Sequence, residues 1–140
     1  MILYADTSAL AKLYIDEPGS AEVAAAAQAA TTVAVCRLAW VEMMATLARR
    51  AREQPAAAAA LATARQNFVN DWDALLIVEV TQPVLSLAGD YAEAFALRAY
   101  DSVQLAALQT LRQQSGEELR FACFDARLVK AAAVLGVAGL

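Results

Sequence analysis

The sequence predicts an α/β fold, with three α/β/α layers around a short central parallel sheet. Two observations predict it. Short apolar, often β-branched runs alternate with helix-like stretches along the chain. Each run is also continuously apolar, as strands buried on both faces of a parallel sheet are. A chain of 140 residues fits one domain, residues 1–140, and can bury a core without disulfides or a structural metal.

Ile2 to Ala5 reads as a buried strand ending at Asp6. Ser8 is a candidate cap for a helix through Ala9, Leu10, Leu13 and Tyr14, broken by Pro18-Gly19. An alanine-rich helix follows from about Ser20, then a strand over Thr32 to Val35. Leu38 to about Arg52 is helical, and Arg49, Arg50 and Arg52 complement the dipole at its end. Pro55 suits the first position of a helix running to roughly Trp72. Leu75 to Val80 is the next strand, and Pro83 opens a helix through Ala96. Asp101 to Gln114 is helical and closed by Ser115-Gly116. Arg120 to Phe124 is a strand ending at Asp125, Ala126 to Leu135 a helix stopped by Gly136, and Val137 to Leu140 a last short strand. Asp71 and Asp73, flanking Trp72, fall at a turn. Trp40 and Trp72 suit core packing or an interface.

Composition removes several chemistries. The chain has no histidine, which excludes Ser-His-Asp, Cys-His and histidine-ligated metal mechanisms. Cys36 and Cys123 lack partners at zinc-ligand spacing and read as two reduced core thiols. The opening Met1-Ile2-Leu3-Tyr4-Ala5-Asp6 has no basic leader, and no apolar run approaches a membrane span, so the expected location is cytoplasmic, with no membrane partner. A net charge of −4 counts against a nucleic-acid binder, although a carboxylate site holding divalent cations would offset that charge locally.

Four acids stand where a solvated surface would not put them. Asp6 and Asp125 each end a buried strand just before a helix, and strand C-terminal ends line the ligand crevice of an open parallel sheet. Glu42 is the only charge between Arg37 and Arg49, in a helix where a lone carboxylate is costly unless paired, with Arg37 or Arg98 for example, or bound to a cation. Asp101 sits in the first turn of its helix and is the only acid between Glu93 and Glu117. Singly, Asp6, Asp101 and Asp125 read as helix caps or as charges favoured at a helix N-terminus. Convergent carboxylates are hard oxygen ligands suited to Mg²⁺ or Mn²⁺, which orient and neutralise a phosphodiester and activate water.

The residues around these acids resemble the motifs of PIN-domain ribonucleases of the VapC toxin type. Asp6-Thr7-Ser8-Ala9-Leu10-Ala11-Lys12-Leu13-Tyr14 with Asp16-Glu17-Pro18-Gly19-Ser20 resembles the family's opening. Leu38 to Arg50, with Glu42 inside, resembles its second motif, Leu97 to Ala106 with Asp101 its third, and Phe121 to Leu128 with Asp125, followed by Ala131-Ala132, its fourth. The four come in family order and span nearly the whole chain. The resemblance implies a PIN-like fold in which Asp6, Glu42, Asp101 and Asp125 form a catalytic, metal-binding quartet for Mg²⁺ or Mn²⁺. Thr7 and Ser8 would assist at the site. It further implies a toxin that cleaves structured RNA of the transfer or ribosomal class through metal-activated water, a homodimeric state, and neutralisation by a cognate VapB-type antitoxin. One position departs: many relatives carry histidine three residues after the third-motif aspartate, and here Gln104 can hydrogen-bond but not titrate near neutral pH.

Arg37, Arg49, Arg50, Arg52, Arg98, Arg112, Arg120 and Arg127 are candidates for phosphate contacts, with Arg98 the best placed because it lies just before Asp101. Lys12 and Lys130 read most simply as helix-surface lysines. The alternative is a non-catalytic PIN-like RNA- or protein-binding module, which would normally have lost one of the four acids. A phosphoryl-accepting signalling domain is disfavoured, because the first strand offers only Asp6 and Lys130 falls inside a helix. A phosphatase with an aspartate nucleophile would want a second acid where Ser8 stands.

Overall fold

The computed structural model describes residues 1–140. Its strands are β1 (Ile2–Ala5), β2 (Thr32–Cys36), β3 (Leu76–Val78), β4 (Leu119–Ala122) and β5 (Ala138–Gly139). Its helices are α1 (Thr7–Ala11), α2 (Ser20–Ala29), α3 (Ala39–Glu53), α4 (Ala58–Asp71), α5 (Gln82–Phe95), α6 (Ala99–Ser115) and α7 (Ala126–Val134). All strand pairs are parallel, in the order β3-β2-β1-β4-β5. The central strand β1 sets Ile2 opposite Thr32 on one side and Leu119 on the other.

Alternation along β1 divides the core into two layers. Ile2 and Tyr4 join the cluster under α5, α6 and α7, with Leu105, Leu108, Phe121 and Leu128. Leu3 and Ala5 join the opposite cluster under α1, α3 and α4, with Leu10, Met43, Leu47 and Phe68. All four residues of β1 are buried, as their uninterrupted apolar character predicts.

Several boundaries differ from the sequence reading. The α1 helix ends at Ala11 instead of reaching Tyr14, because Lys12, Leu13 and Tyr14 donate to carbonyls only three residues back and the helix tightens into a turn. Its cap is Asp6, whose carboxylate accepts from the Ala9 amide, while Ser8 lies inside the helix. Pro55 opens a single 3₁₀ turn, Pro55–Ala57, ahead of α4, which ends before Trp72. The β3 strand keeps only Leu76–Val78 of the expected stretch. The β4 strand stops at Ala122, whose carbonyl takes its last ladder bond from the Asp6 amide at 3.1 Å, so Cys123 and Phe124 leave the sheet. The α6 helix starts two residues early, at Ala99, leaving Asp101 inside the first turn.

Trp72 is buried and Trp40 partly exposed, both against Phe68, with ring centroids 5.4 and 5.6 Å away. Asp71 accepts a hydrogen bond from the Tyr14 hydroxyl, and Asp73 lies in the 3₁₀ turn Trp72–Ala74. No helix is long and apolar enough to cross a membrane.

Candidate metal centre

The sheet order reverses at β1, since the chain goes first to β2 on one side and later to β4 on the other. Open parallel sheets bind ligands at the carboxyl edge beside such a switch point. Asp6 follows β1 and Asp125 follows β4, and these strands are neighbours. Glu42 enters from the first turn of α3 and Asp101 from the first turn of α6.

Asp6 is 7% exposed. Its Oδ1 accepts from the Ser8 hydroxyl at 2.6 Å and from the Ala9 amide at 3.0 Å, and its Oδ2 from the Cys123 thiol at 3.0 Å. Burial pushes its carboxyl up, these three hydrogen bonds oppose the shift, and the charge of Asp125 adds to it. Glu42 is half-buried, and burial raises its carboxyl too, opposed by Gln104 and Thr7 and reinforced by Asp6 and Asp101. Asp101 is raised by burial, then by Asp125, against a downward pull from the Arg98 guanidinium, with Asp6 adding to the rise. Asp125 is exposed and caps α7, its Oδ1 accepting from the amides of Arg127 and Leu128.

Burial is the larger cause of all three shifts; the charge of Asp125 adds to those of Asp6 and Asp101, and the charges of Asp6 and Asp101 add to that of Glu42. None of the four acids pairs with a lysine or arginine; the ion pairs are Lys12–Glu17, Arg37–Glu79 and Arg50–Glu17. The alternative account of Glu42, a pair with Arg37 or Arg98, does not hold: Arg37 binds Glu79 at the edge of the sheet, and Arg98 acts on Asp101. The donor set, all carboxylate oxygen with no imidazole, fits a hard divalent cation. The side chains as they stand do not converge three at a time on a single point that would chelate one ion.

The supporting residues divide. Ser8 binds Asp6 and also accepts from the Phe124 amide at 3.3 Å, tying the segment after β4 to the start of α1. The Thr7 hydroxyl lies close enough to hold Glu42 down, yet it is buried and makes no hydrogen bond of good geometry. This buried hydroxyl beside Glu42 leaves an oxygen free to face a cation. Gln104 is 3% exposed; its Oε1 accepts from the Tyr4 hydroxyl at 2.8 Å and its Nε2 donates to Glu42 Oε1 at 3.1 Å. Arg98 occupies the cap position of α6 and is exposed.

Three residues near the site have contacts that the sequence did not show. Tyr4 looks like any apolar strand residue, although a buried phenol needs a partner and that need is the available signal. Cys123 is half-buried at the site and bonded to Asp6, not a core thiol like Cys36; only the end of β4 decides this. Lys12 is no surface lysine: it pairs with Glu17 and lies 4.6 Å over the ring of exposed Phe124. A cavity of about 630 Å³ bounded by Tyr14, Glu17, Arg49, Arg50 and Glu53 includes none of the four acids, and its Glu17 and Arg50 already neutralise each other.

A parallel sheet in this order with an acidic cluster at its switch point defines the class: the chain belongs to the PIN-domain family, whose model, described as "PIN domain", matches residues 3–134. Within that family it is of the VapC type. It is 37% identical over 105 residues to Ribonuclease VapC45 of Mycobacterium tuberculosis (strain CDC 1551 / Oshkosh), covering 75% of this chain and 73% of that one. It is 32% identical to Ribonuclease VapC47 of the same strain, over 96% of this chain and 93% of that one. Among solved structures, a toxin–antitoxin complex from Klebsiella pneumoniae has the same fold, with a TM-score of 0.63 at 17% identity over 89% of this chain and 87% of that one.

Proposed function

We propose that this chain, acting as one domain over residues 1–140, is a toxin that cuts RNA internally by metal-dependent hydrolysis. Structured RNA of the transfer or ribosomal class is its substrate, and a cognate VapB-type antitoxin holds it in check. The observation that carries the reading is the quartet Asp6, Glu42, Asp101 and Asp125, four unpaired acids at the switch point, three of them pushed up by burial and by one another. Such a cluster is stabilised by bound cations. The ribonuclease names of its VapC relatives and the toxin–antitoxin complex among its structural neighbours support the same reading.

Mg²⁺ or Mn²⁺ held by these acids would neutralise a phosphodiester and lower the pKa of a water molecule. The chain's own residues do the rest. Asp6 is held by Ser8, Ala9 and Cys123, so its carboxylate enters the reaction already oriented. Arg98 and Arg127, beside Asp101 and Asp125 in sequence and in no ion pair, are available to phosphate oxygens. Exposed Tyr100 and Phe124, next to the same two acids, offer faces on which unpaired bases stack. Two copies of the chain form the working homodimer.

The second reading is a non-catalytic RNA- or protein-binding module, which would normally have lost one of the four acids that this chain keeps. One experiment separates the two: purified protein is incubated with total cellular RNA in Mg²⁺, in Mn²⁺ and in chelator. Discrete products that need metal, and that vanish in Asp6→Asn and Asp101→Asn with circular dichroism unchanged, are expected. Full activity of both variants in the presence of metal overturns the nuclease reading.

A further inference from the structure

Tyr4, Gln104 and Glu42 come from three different elements, β1, α6 and α3, and form one hydrogen-bonded chain through the interior. Tyr4 is fully buried and stands two residues before Asp6; Gln104 is one helical turn after Asp101. The Tyr4 ring packs against Phe121 of the neighbouring strand β4, with centroids 5.9 Å apart, so the phenol is fixed by the sheet.

The direction of the chain follows from donor and acceptor chemistry. A buried phenol must spend its proton, and an amide side chain accepts only through its oxygen. Once Tyr4 donates to Oε1, the amide plane is set and Nε2 turns to Glu42. The reverse orientation would press Oε1 against a carboxylate oxygen, two acceptors face to face. Gln104 thus offers Glu42 a donor and nothing else, which favours the ionised carboxylate and holds Oε1 in one place, leaving Oε2 outside the chain.

We propose that Tyr4 and Gln104 are positioning residues, a buried relay that orients the Glu42 carboxylate to receive a divalent cation. The inference rests on the metal-dependent reading above and extends it to two residues that touch neither cation nor RNA. Partners of ligating carboxylates act in this way by fixing the ligand's rotamer before the ion arrives. Glu42 needs such help more than Asp6, because it hangs on a longer side chain and lacks the backbone amide that Asp6 uses.

The test is Mn²⁺ binding to the metal-stripped full-length protein, followed by isothermal titration and by the electron paramagnetic resonance of free Mn²⁺. Gln104→Met keeps the volume and removes both hydrogen bonds; its affinity is expected to fall about 10- to 100-fold. Tyr4→Phe removes one oxygen far from the ion and should weaken binding severalfold. The double variant should bind no more weakly than Gln104→Met, since the phenol acts only through the amide. Should Gln104→Met fail to fold, Tyr4→Phe alone carries the test. Wild-type affinity in Tyr4→Phe and Gln104→Met, with binding lost in Asp6→Asn, overturns the relay and leaves the metal site standing. No Mn²⁺ binding by the wild type, or undiminished binding by Asp6→Asn, overturns the metal reading and the relay with it.

Discussion

The thiol of Cys123 donates to Oδ2 of Asp6 at 3.0 Å, joining the segment after β4 to the end of β1. Burial, then the Asp6 charge and this hydrogen bond, raise the thiol well above the usual range, so little thiolate exists near neutrality. Cys36 is buried and out of reach, so alkylation of the native protein reports on Cys123 alone. In chelator at pH 8, native protein should react with iodoacetamide at least about tenfold more slowly than unfolded protein. Asp6→Asn should react faster than wild type. Equal rates for wild type and variant, read by mass spectrometry, would show that the contact does not govern the thiol.

The raised carboxyls of Asp6, Glu42 and Asp101 set a pH dependence for the metal-free protein. Above an acid's unfolded pKa, near 4, and up to its higher folded value, the folded state binds more protons than the unfolded one. Stability contributed by these three groups therefore falls as pH rises through that window, then stays flat. Melting in chelator should occur at a lower temperature at pH 7 than at pH 5, and Mn²⁺ should reverse the loss. Asp6→Asn keeps the cap, since asparagine caps as well as aspartate, and should melt higher than wild type in chelator at pH 7 with little response to Mn²⁺. A wild-type melting temperature that rises from pH 5 to pH 7 without metal would count against raised carboxyls at Asp6, Glu42 and Asp101.

Ala96 ends α5 in the left-handed region, at φ 52°, the only residue other than glycine with positive φ. A side chain there costs roughly 1–2 kcal/mol relative to glycine, offset in part by the greater freedom of glycine in the unfolded chain. Ala96 is exposed and loses no packing on truncation. Ala96→Gly should stabilise by about 0.5–1 kcal/mol, or roughly 2–5 °C in melting temperature. An unchanged or lower melting temperature would refute the strain.

Phe68 is fully buried, with the rings of Tyr14, Trp40 and Trp72 all within 5.6 Å. Phe68→Ala should cost about 3–5 kcal/mol, because three aromatic neighbours cannot all collapse into the space. Chemical denaturation gives the loss directly, and tryptophan emission should shift to the red as water reaches Trp40 and Trp72. A cost below about 1 kcal/mol would mean the cluster repacks.

The order of elements was legible in the sequence, and so was the unusual placement of the four acids proposed as the site. Each strand is a continuous apolar run, and an acid at the end of such a run or alone in an apolar helix has few cheap explanations. Whether Asp6 or Ser8 caps α1 was not legible: both residues are competent caps, and the choice depends on where the β1–β4 ladder ends. The start of α6 at Ala99 was hidden as well, since Arg98 has no side chain suited to capping and makes no capping hydrogen bond.

The pattern of residue types fixes a parallel sheet, its two apolar layers and a histidine-free set of carboxylates, because burial and chemical kind are properties each residue carries with it. Which side chains meet is different. The contacts Cys123–Asp6, Gln104–Glu42 and Tyr4–Gln104 join residues 117, 62 and 100 positions apart. No local preference encodes such pairs; they exist because the sheet reverses its order at β1, and the packing of α3 and α6 against that edge turns distant residues into neighbours.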